Sequence, residues 1–183
     1  INRTSRWCLW LVDCPPNELR GMPAILKRVN AVKAMRLAST DKQTQMDAAT
    51  PTLFQKIRQP RNNYLLIPSV SSERRSYVPI GFIDASVIVS NLVYSLSDAT
   101  MFHFGVLCST MHNAWMRTTG GRLKSDYRYS NSIVYNNFPW PDLPPKSEPN
   151  QPSAPASQAQ AAIETAAQAV LDARAQFPTS SLA

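Results

Sequence analysis

From Arg122 to Tyr129 the chain reads Arg-Leu-Lys-Ser-Asp-Tyr-Arg-Tyr, with a charge at every second residue. In an extended strand, successive side chains alternate between two faces. Arg122, Lys124, Asp126 and Arg128 would then project together, while Leu123, Ser125, Tyr127 and Tyr129 would anchor the strand to a core. A row of rigidly mounted cations with one anion among them has the donors and the acceptor needed to read base edges in a DNA groove. The solvated face of any antiparallel sheet alternates in the same way. On this pattern alone, a reading strand and an ordinary exposed strand both stand.

A second group lies earlier, at Ser71-Ser72-Glu73-Arg74-Arg75. Two hydroxyls, two guanidiniums and the backbone donors of one loop suit phosphate contact. An exposed hairpin loop, with Glu73 partly neutralising the arginines, would look the same. His103 and His112 are nine residues apart on an expected helix, which places them on different sides and favours two structural histidines over a catalytic pair. His112, beside Asn113 and Trp115, could also contact a partner if its end of the helix is exposed. The carboxylates form no cluster resembling a metal or general-acid site. Glycine is scarce, and no Gly-rich turn leads from a strand into a helix, so neither a nucleotide cradle nor an S-adenosylmethionine loop is visible. Asn136-Asn137-Phe138-Pro139-Trp140-Pro141 is superficially similar to the Asn-Pro-Pro-Phe/Tyr motif that holds a flipped base. It departs at the second residue, and reads instead as a rigid exit turn pinned by Phe138 and Trp140.

The chain that must position these groups has 183 residues, 44% of them hydrophobic and 17% charged, enough for a real core. Its net charge of +7 is uneven: residues 1–63 hold 11 Lys and Arg against 4 Asp and Glu, whereas residues 64–142 hold 6 against 5. That excess suits a polyanionic partner, and basic surface helices produce it too. No apolar run approaches the ~20 residues of a membrane span, and no secretory leader is visible. The first residue, Ile1, suggests a fragment or a processed chain. Cys8, Cys14 and Cys108 lack metal-ligand spacing; they read as free thiols, two of them buried, in a reducing cytoplasm.

Hydrophobic periodicity predicts a buried strand at residues 7–12 and a helix from Pro23 to about Ser39, with Lys27, Arg28, Lys33 and Arg36 on its solvent side. A polar helix over 41–50 follows. Strands are expected at 64–70, 77–83, 87–96 and 133–135. One long helix, capped by Asp98 or Thr100, should extend to about Thr119 and stop at Gly120-Gly121. This is an α+β pattern: a small mixed or antiparallel sheet packed on one long helix, with a helical N-terminal segment and a C-terminal helix. Residues 1–63 read as a basic helical connector and 64–142 as the central domain. Residues 143–158 form a linker rich in Pro, Ser and Gln. Residues 159–183 hold an Ala-rich helix whose stripe of Ile163, Val170 and Leu171 needs a partner surface.

Four ordered blocks between about residues 60 and 142 resemble the target-recognition domain of MmeI-like, type IIL restriction-modification enzymes. They are Ser-Ser-Glu-Arg-Arg-Ser-Tyr-Val-Pro-Ile-Gly-Phe at 71–82, His-Phe-Gly-Val-Leu-Cys-Ser-Thr-Met-His-Asn-Ala-Trp-Met-Arg at 103–117, Gly-Arg-Leu-Lys-Ser-Asp-Tyr-Arg-Tyr-Ser at 121–130 and Ile-Val-Tyr-Asn-Asn-Phe-Pro-Trp-Pro at 133–141. The resemblance implies a bacterial cytoplasmic parent that methylates adenine N6, with or without a fused endonuclease. Its S-adenosylmethionine would be held upstream, in a methyltransferase domain of the same polypeptide, and this chain would be non-catalytic and hold no cofactor itself.

Double-stranded DNA is then the expected partner, and no membrane is involved. The resemblance places base readers at Lys124 and Asp126. Lysine donates to guanine O6 and N7, and aspartate accepts from cytosine N4, so the two would specify one G·C pair. Arg128 would read a neighbouring base or clamp a phosphate. Arg74, Arg75, Arg117 and Arg122, assisted by Ser71 and Ser72, are the expected phosphate contacts. The competing reading is a non-catalytic protein-interaction domain whose charged strand is merely solvated.

Overall fold

The computed structural model describes residues 6–142 and 155–180. The chain divides into two compact units, Thr4–Arg58 and one made chiefly of Gln59–Ala183.

In the first unit the strand expected at 7–12 does not form. The segment joins no sheet and ends in a turn, with Cys14 N–H donating to Leu11 O at 3.3 Å, and Trp7 is 97% exposed. A segment becomes a strand only where a neighbour takes up its N–H and C=O groups; among the described residues this one packs through Trp10 on Phe54 but joins no ladder. Helices α1 (Pro16–Arg20), α2 (Pro23–Leu37) and α3 (Lys42–Met46) follow. Both α1 and α2 start on a proline, whose missing N–H is no loss in a first turn. Asp41 caps α3, its Oδ2 accepting from the Thr44 N–H at 2.7 Å. Arg36 departs from expectation. It is buried rather than facing solvent, and donates to the carbonyls of Asp47 at 2.8 Å, Thr50 at 3.1 Å and Leu53 at 2.7 Å. The carbonyls of Asp47 and Thr50 each also accept one backbone N–H, from Thr50 at 3.2 Å and Leu53 at 3.1 Å, and a carbonyl has a second lone pair to offer. A guanidinium fork can serve several at once.

The second unit runs through β1 (Tyr64–Pro68), β2 (Val70–Ser71), β3 (Gly81–Ile83), β4 (Val93–Ser97), α4 (Met101–Cys108), α5 (Thr110–Thr119), β5 (Gly121–Leu123), β6 (Asp126–Arg128), a π-helical turn at Asn131–Tyr135, and α6 (Pro155–Ala175). The fold is α+β and its pairings are antiparallel, but two small sheets stand where one was expected, ordered β3-β1-β4 and β2-β6-β5. Ser69 is the hinge between them. Its N–H donates to Leu92 O at 3.0 Å, and its carbonyl accepts from Tyr129 N–H at 2.9 Å. Tyr64, Leu65, Leu66 and Ile67 of β1 are all buried, so both faces of this central strand are covered. The core assembles around Leu65, Ile67, Ile80, Phe104, Leu107 and Met116.

Three further expectations change. The long helix is two, because Ser109 is extended (φ −65°, ψ 155°) and its hydroxyl accepts from His112 N–H at 3.1 Å, capping α5. Residues 133–135 form the π turn rather than a strand; Ser130 caps it, and Asn136 N–H reaches back to Asn131 O at 2.8 Å. Cys8 is exposed, not buried. At the end of α5, glycine is required by a close approach: a Cβ on Gly120 would sit 2.5 Å from Met116 O.

Of the proline-rich segment, residues 143–154 lie outside the described residues. Helix α6 finds its partner surface within this unit, on α4. Ile163, Ala167 and Leu171 face inward, while Val170 stays exposed. Gly105 makes the approach feasible: a Cβ there would lie 2.8 Å from Ile163 Cγ2 and 3.0 Å from the Ile163 carbonyl. Alanine normally favours a helix over glycine by about 1 kcal/mol. Here Gly105→Ala should reverse that sign and destabilise by about 1–3 kcal/mol through overpacking, as measured by urea denaturation.

Candidate functional site

The charged row is not one strand. β5 and β6 form a hairpin with a two-residue turn, Lys124-Ser125, and pair Gly121 with Arg128, Arg122 with Tyr127 and Leu123 with Asp126. Reversal of the chain changes which residues share a face. Residues opposite one another in an antiparallel pair lie on the same side, so Arg122 joins Tyr127, whereas Asp126 and Arg128 occupy the other face with Leu123. The expected alignment of Arg122, Lys124, Asp126 and Arg128 is therefore overturned. Leu123 is 52% exposed and anchors nothing, while Tyr129 is buried. Lys124 stands at the tip with φ 58°, in the left-handed region where hairpin turns favour glycine or asparagine.

Side chains hold this turn without help from glycine. The Arg122 guanidinium lies 3.9 Å from the centre of the Tyr127 ring and donates to Ser125 O at 2.7 Å. It also faces Glu73, at 3.8 Å. Both partners of that pair are about half exposed, so the charge attraction itself adds little. Glu73 contributes a second tie, its N–H donating to Asp126 Oδ1 at 3.3 Å.

The loop preceding β3 is thereby fastened to the hairpin. Arg117, from the last turn of α5, donates through Nη2 to the carbonyls of Arg75, at 3.3 Å, and Ser76. It is half-buried, and these bonds are to main chain. Ser71 is buried within β2, paired with Tyr127, so its hydroxyl does not face solvent. Ser72 is half-buried, with its Oγ accepting from Arg74 N–H at 3.4 Å. Arg74, Lys124 and Arg128 are exposed, and Arg75 and Asp126 are half-buried. The structure thus gathers Ser72, Glu73, Arg74, Arg122, Lys124 and Asp126 around one hairpin, with Arg117 reaching the adjoining loop from α5. Sequence reasoning missed Glu73 and Tyr127 as organisers. The signal available was an acid and an aromatic embedded among arginines.

Beneath the hairpin lies a buried seam. His112 Nε2 and Tyr129 OH are 2.9 Å apart, and Phe138 packs edge-on against the imidazole with centroids 4.6 Å apart. His112 is fully buried, so it meets no partner. Burial pulls its pKa down to about 4 and pushes that of Tyr129 up, so the ring is neutral. Its Nδ1 is the one buried side-chain nitrogen or oxygen without a hydrogen bond among the described residues. Asn113 Oδ1 accepts from the buried Val78 N–H at 2.9 Å. His103 is the other structural histidine: its Nδ1 accepts from Thr100 N–H at 3.2 Å at the start of α4. Burial raises the Cys108 thiol to about 11, which leaves it a poor nucleophile.

A family model described as MmeI, target recognition domain, matches residues 1–142. DNA methyltransferase A of Bacillus subtilis (strain 168) is 43% identical over 143 residues, covering 78% of this chain and 16% of that protein. Among solved structures, the type IIL restriction-modification enzyme MmeI in complex with DNA matches with a TM-score of 0.90 and 48% identity, covering all of this chain and 23% of that one. The chain thus spans less than a quarter of the length of either relative.

The buried imidazole makes stability depend on pH. The unfolded chain takes up the proton near pH 6.5 and the folded chain only near 4. Its contribution is therefore intact above about pH 6.5 and is lost as pH falls toward 4. Urea melts should show a loss of about 2 kcal/mol from this group between pH 6.5 and pH 5. His112→Gln should remove that increment.

Proposed function

The chain belongs to the MmeI target recognition domain family, and on that footing we propose that it selects the DNA sequence on which a larger adenine-N6 methyltransferase acts. The observation that carries this reading is the likeness along its full length to a chain solved in complex with DNA. The parent is a bacterial cytoplasmic enzyme, with or without a fused endonuclease. Residues 64–142 form the reader within it, and 1–63 the basic junction with the methyltransferase. Residues 143–158 are a linker, and 159–183 begin a C-terminal helical part. No helix among the described residues is long and apolar enough to cross a membrane.

S-adenosylmethionine supplies the methyl group in such an enzyme. The residues of this chain do not fit it: no described glycine has a positive φ, and none forms a strand-to-helix turn that could cradle it. We place it in the methyltransferase part of the parent.

The hairpin is the reading element. Lys124 at its tip donates to guanine O6 and N7, and Asp126, the first residue after the turn, accepts from cytosine N4, so the two together specify one G·C pair. Arg128, exposed on the Asp126 face, reads the neighbouring base or clamps a phosphate. Arg74 and Arg75 take phosphates, assisted by Ser72 and by Arg122 from beside Tyr127. Backbone contacts set register and affinity, whereas the base contacts are each worth about 1–3 kcal/mol of discrimination.

Mapping methylated adenines in DNA from cells expressing the full-length parent tests the assignment. Combining Lys124→Asp with Asp126→Lys should change one base pair of the methylated site and leave the others; an unchanged site would refute it. Arg74→Ala should weaken binding equally on all sequences and reduce the slope of log affinity against log salt by about 0.9.

A further inference from the structure

We propose that Arg117 is a positioning residue for sequence readout, holding the Ser72–Ser76 loop against the hairpin so that the loop can orient the Asp126 carboxylate. This rests on the reading above, in which Asp126 meets a base. A carboxylate on an unsupported side chain rotates freely, and reading a base edge requires one orientation. Here Oδ1 accepts from Glu73 N–H at 3.3 Å, which leaves the second oxygen to accept from an exocyclic amine. A main-chain donor can fix a side chain only if its own backbone is fixed. The loop does little of this itself: it has one internal turn, Arg75 N–H to Ser72 O at 3.1 Å, and a long contact to the Ser72 hydroxyl. The external clamp is Arg117, which bonds the carbonyls of two successive loop residues.

The choice of residue follows from this geometry. Both bonds leave one nitrogen, Nη2, whose two N–H groups are held in the plane of the guanidinium, whereas a lysine ammonium rotates freely on a flexible stem. Arg117 also lies 5.9 Å from the Tyr127 ring centre, which Arg122 approaches more closely, at 3.9 Å. One aromatic ring on β6 is therefore contacted by a guanidinium from α5 and another from β5. The loop, the helix and the hairpin meet there.

The test uses the full-length polypeptide that carries this domain, its site first mapped by methylation. Binding of Arg117→Met and Arg117→Lys is measured on the mapped duplex and on duplexes substituted at each base pair, over a range of salt. Both variants should lose about tenfold in preference at the base pair that depends on Asp126. Preference elsewhere and the salt slope should be unchanged. Uniform weakening on every duplex, with the slope reduced by about 0.9, would make Arg117 a phosphate contact and overturn the proposal. Equal loss of preference at all positions with a lowered melting temperature would also overturn it, since that is the mark of a merely structural role. If Arg117→Met does not fold, Arg117→Lys decides by the same criteria. Asp126→Ala, run in parallel, separates the two levels. If it leaves the site unchanged, the base assignment itself has failed. If it relaxes one position and neither Arg117 variant does, the failure belongs to Arg117 alone.

Discussion

Two strands of three residues each cannot hold a register by their own ladder, so the geometry of the β5–β6 hairpin depends on what grips its end. That grip is Tyr129. Its N–H is bonded to the Ser69 carbonyl where the two sheets meet, and its hydroxyl to His112 on α5. Buried in the low-dielectric core, this pair exacts a desolvation penalty if either partner is lost. Phe138, from the exit turn, closes over the imidazole. The chain segments before, beneath and after the hairpin thus converge on Tyr129 and the histidine it bonds.

Helix α5 extends this role along its length. Asn113 accepts from Val78, Trp115 donates from Nε1 to Val134 O at 3.0 Å, and Arg117 donates to the Arg75 and Ser76 carbonyls. Each contact satisfies backbone in an irregular segment, where no ladder can do so. The first unit uses the same device through Arg36 and three carbonyls, and through Gln45, whose Nε2 donates to Ser39 O at 2.6 Å. A domain with such short strands replaces sheet hydrogen bonds with side chains reaching out from helices.

What was legible in the sequence follows from this. Helix α2 announced itself by its period and its leading proline, and Thr100 by its capping position. The α+β class followed from strands grouped around helices. The family resemblance came from four blocks that enclose most of α5 and the hairpin. The hairpin itself was hidden, because Lys-Ser carries no turn signal and charge alternation continues across it. A two-residue turn leaves that alternation intact in the sequence while inverting which residues face one another in space. The break at Ser109 was legible as a Ser cap but lay inside an apolar run that reads as one helix. The buried Arg36 could not be foreseen, since its burial depends on three carbonyls as many as 17 residues away.

Lys124 has one further consequence. Its backbone lies at φ 58°, and side chains branched at Cβ are poorly tolerated there. The residues open to substitution at this position are therefore limited by the turn before any base is considered. Glycine, asparagine and aspartate fit readily and unbranched chains such as lysine or glutamate at some cost; valine, isoleucine and threonine are disfavoured. Where the tip reads a base as proposed above, backbone stereochemistry narrows the side chains that can serve there, and the range of specificities with them.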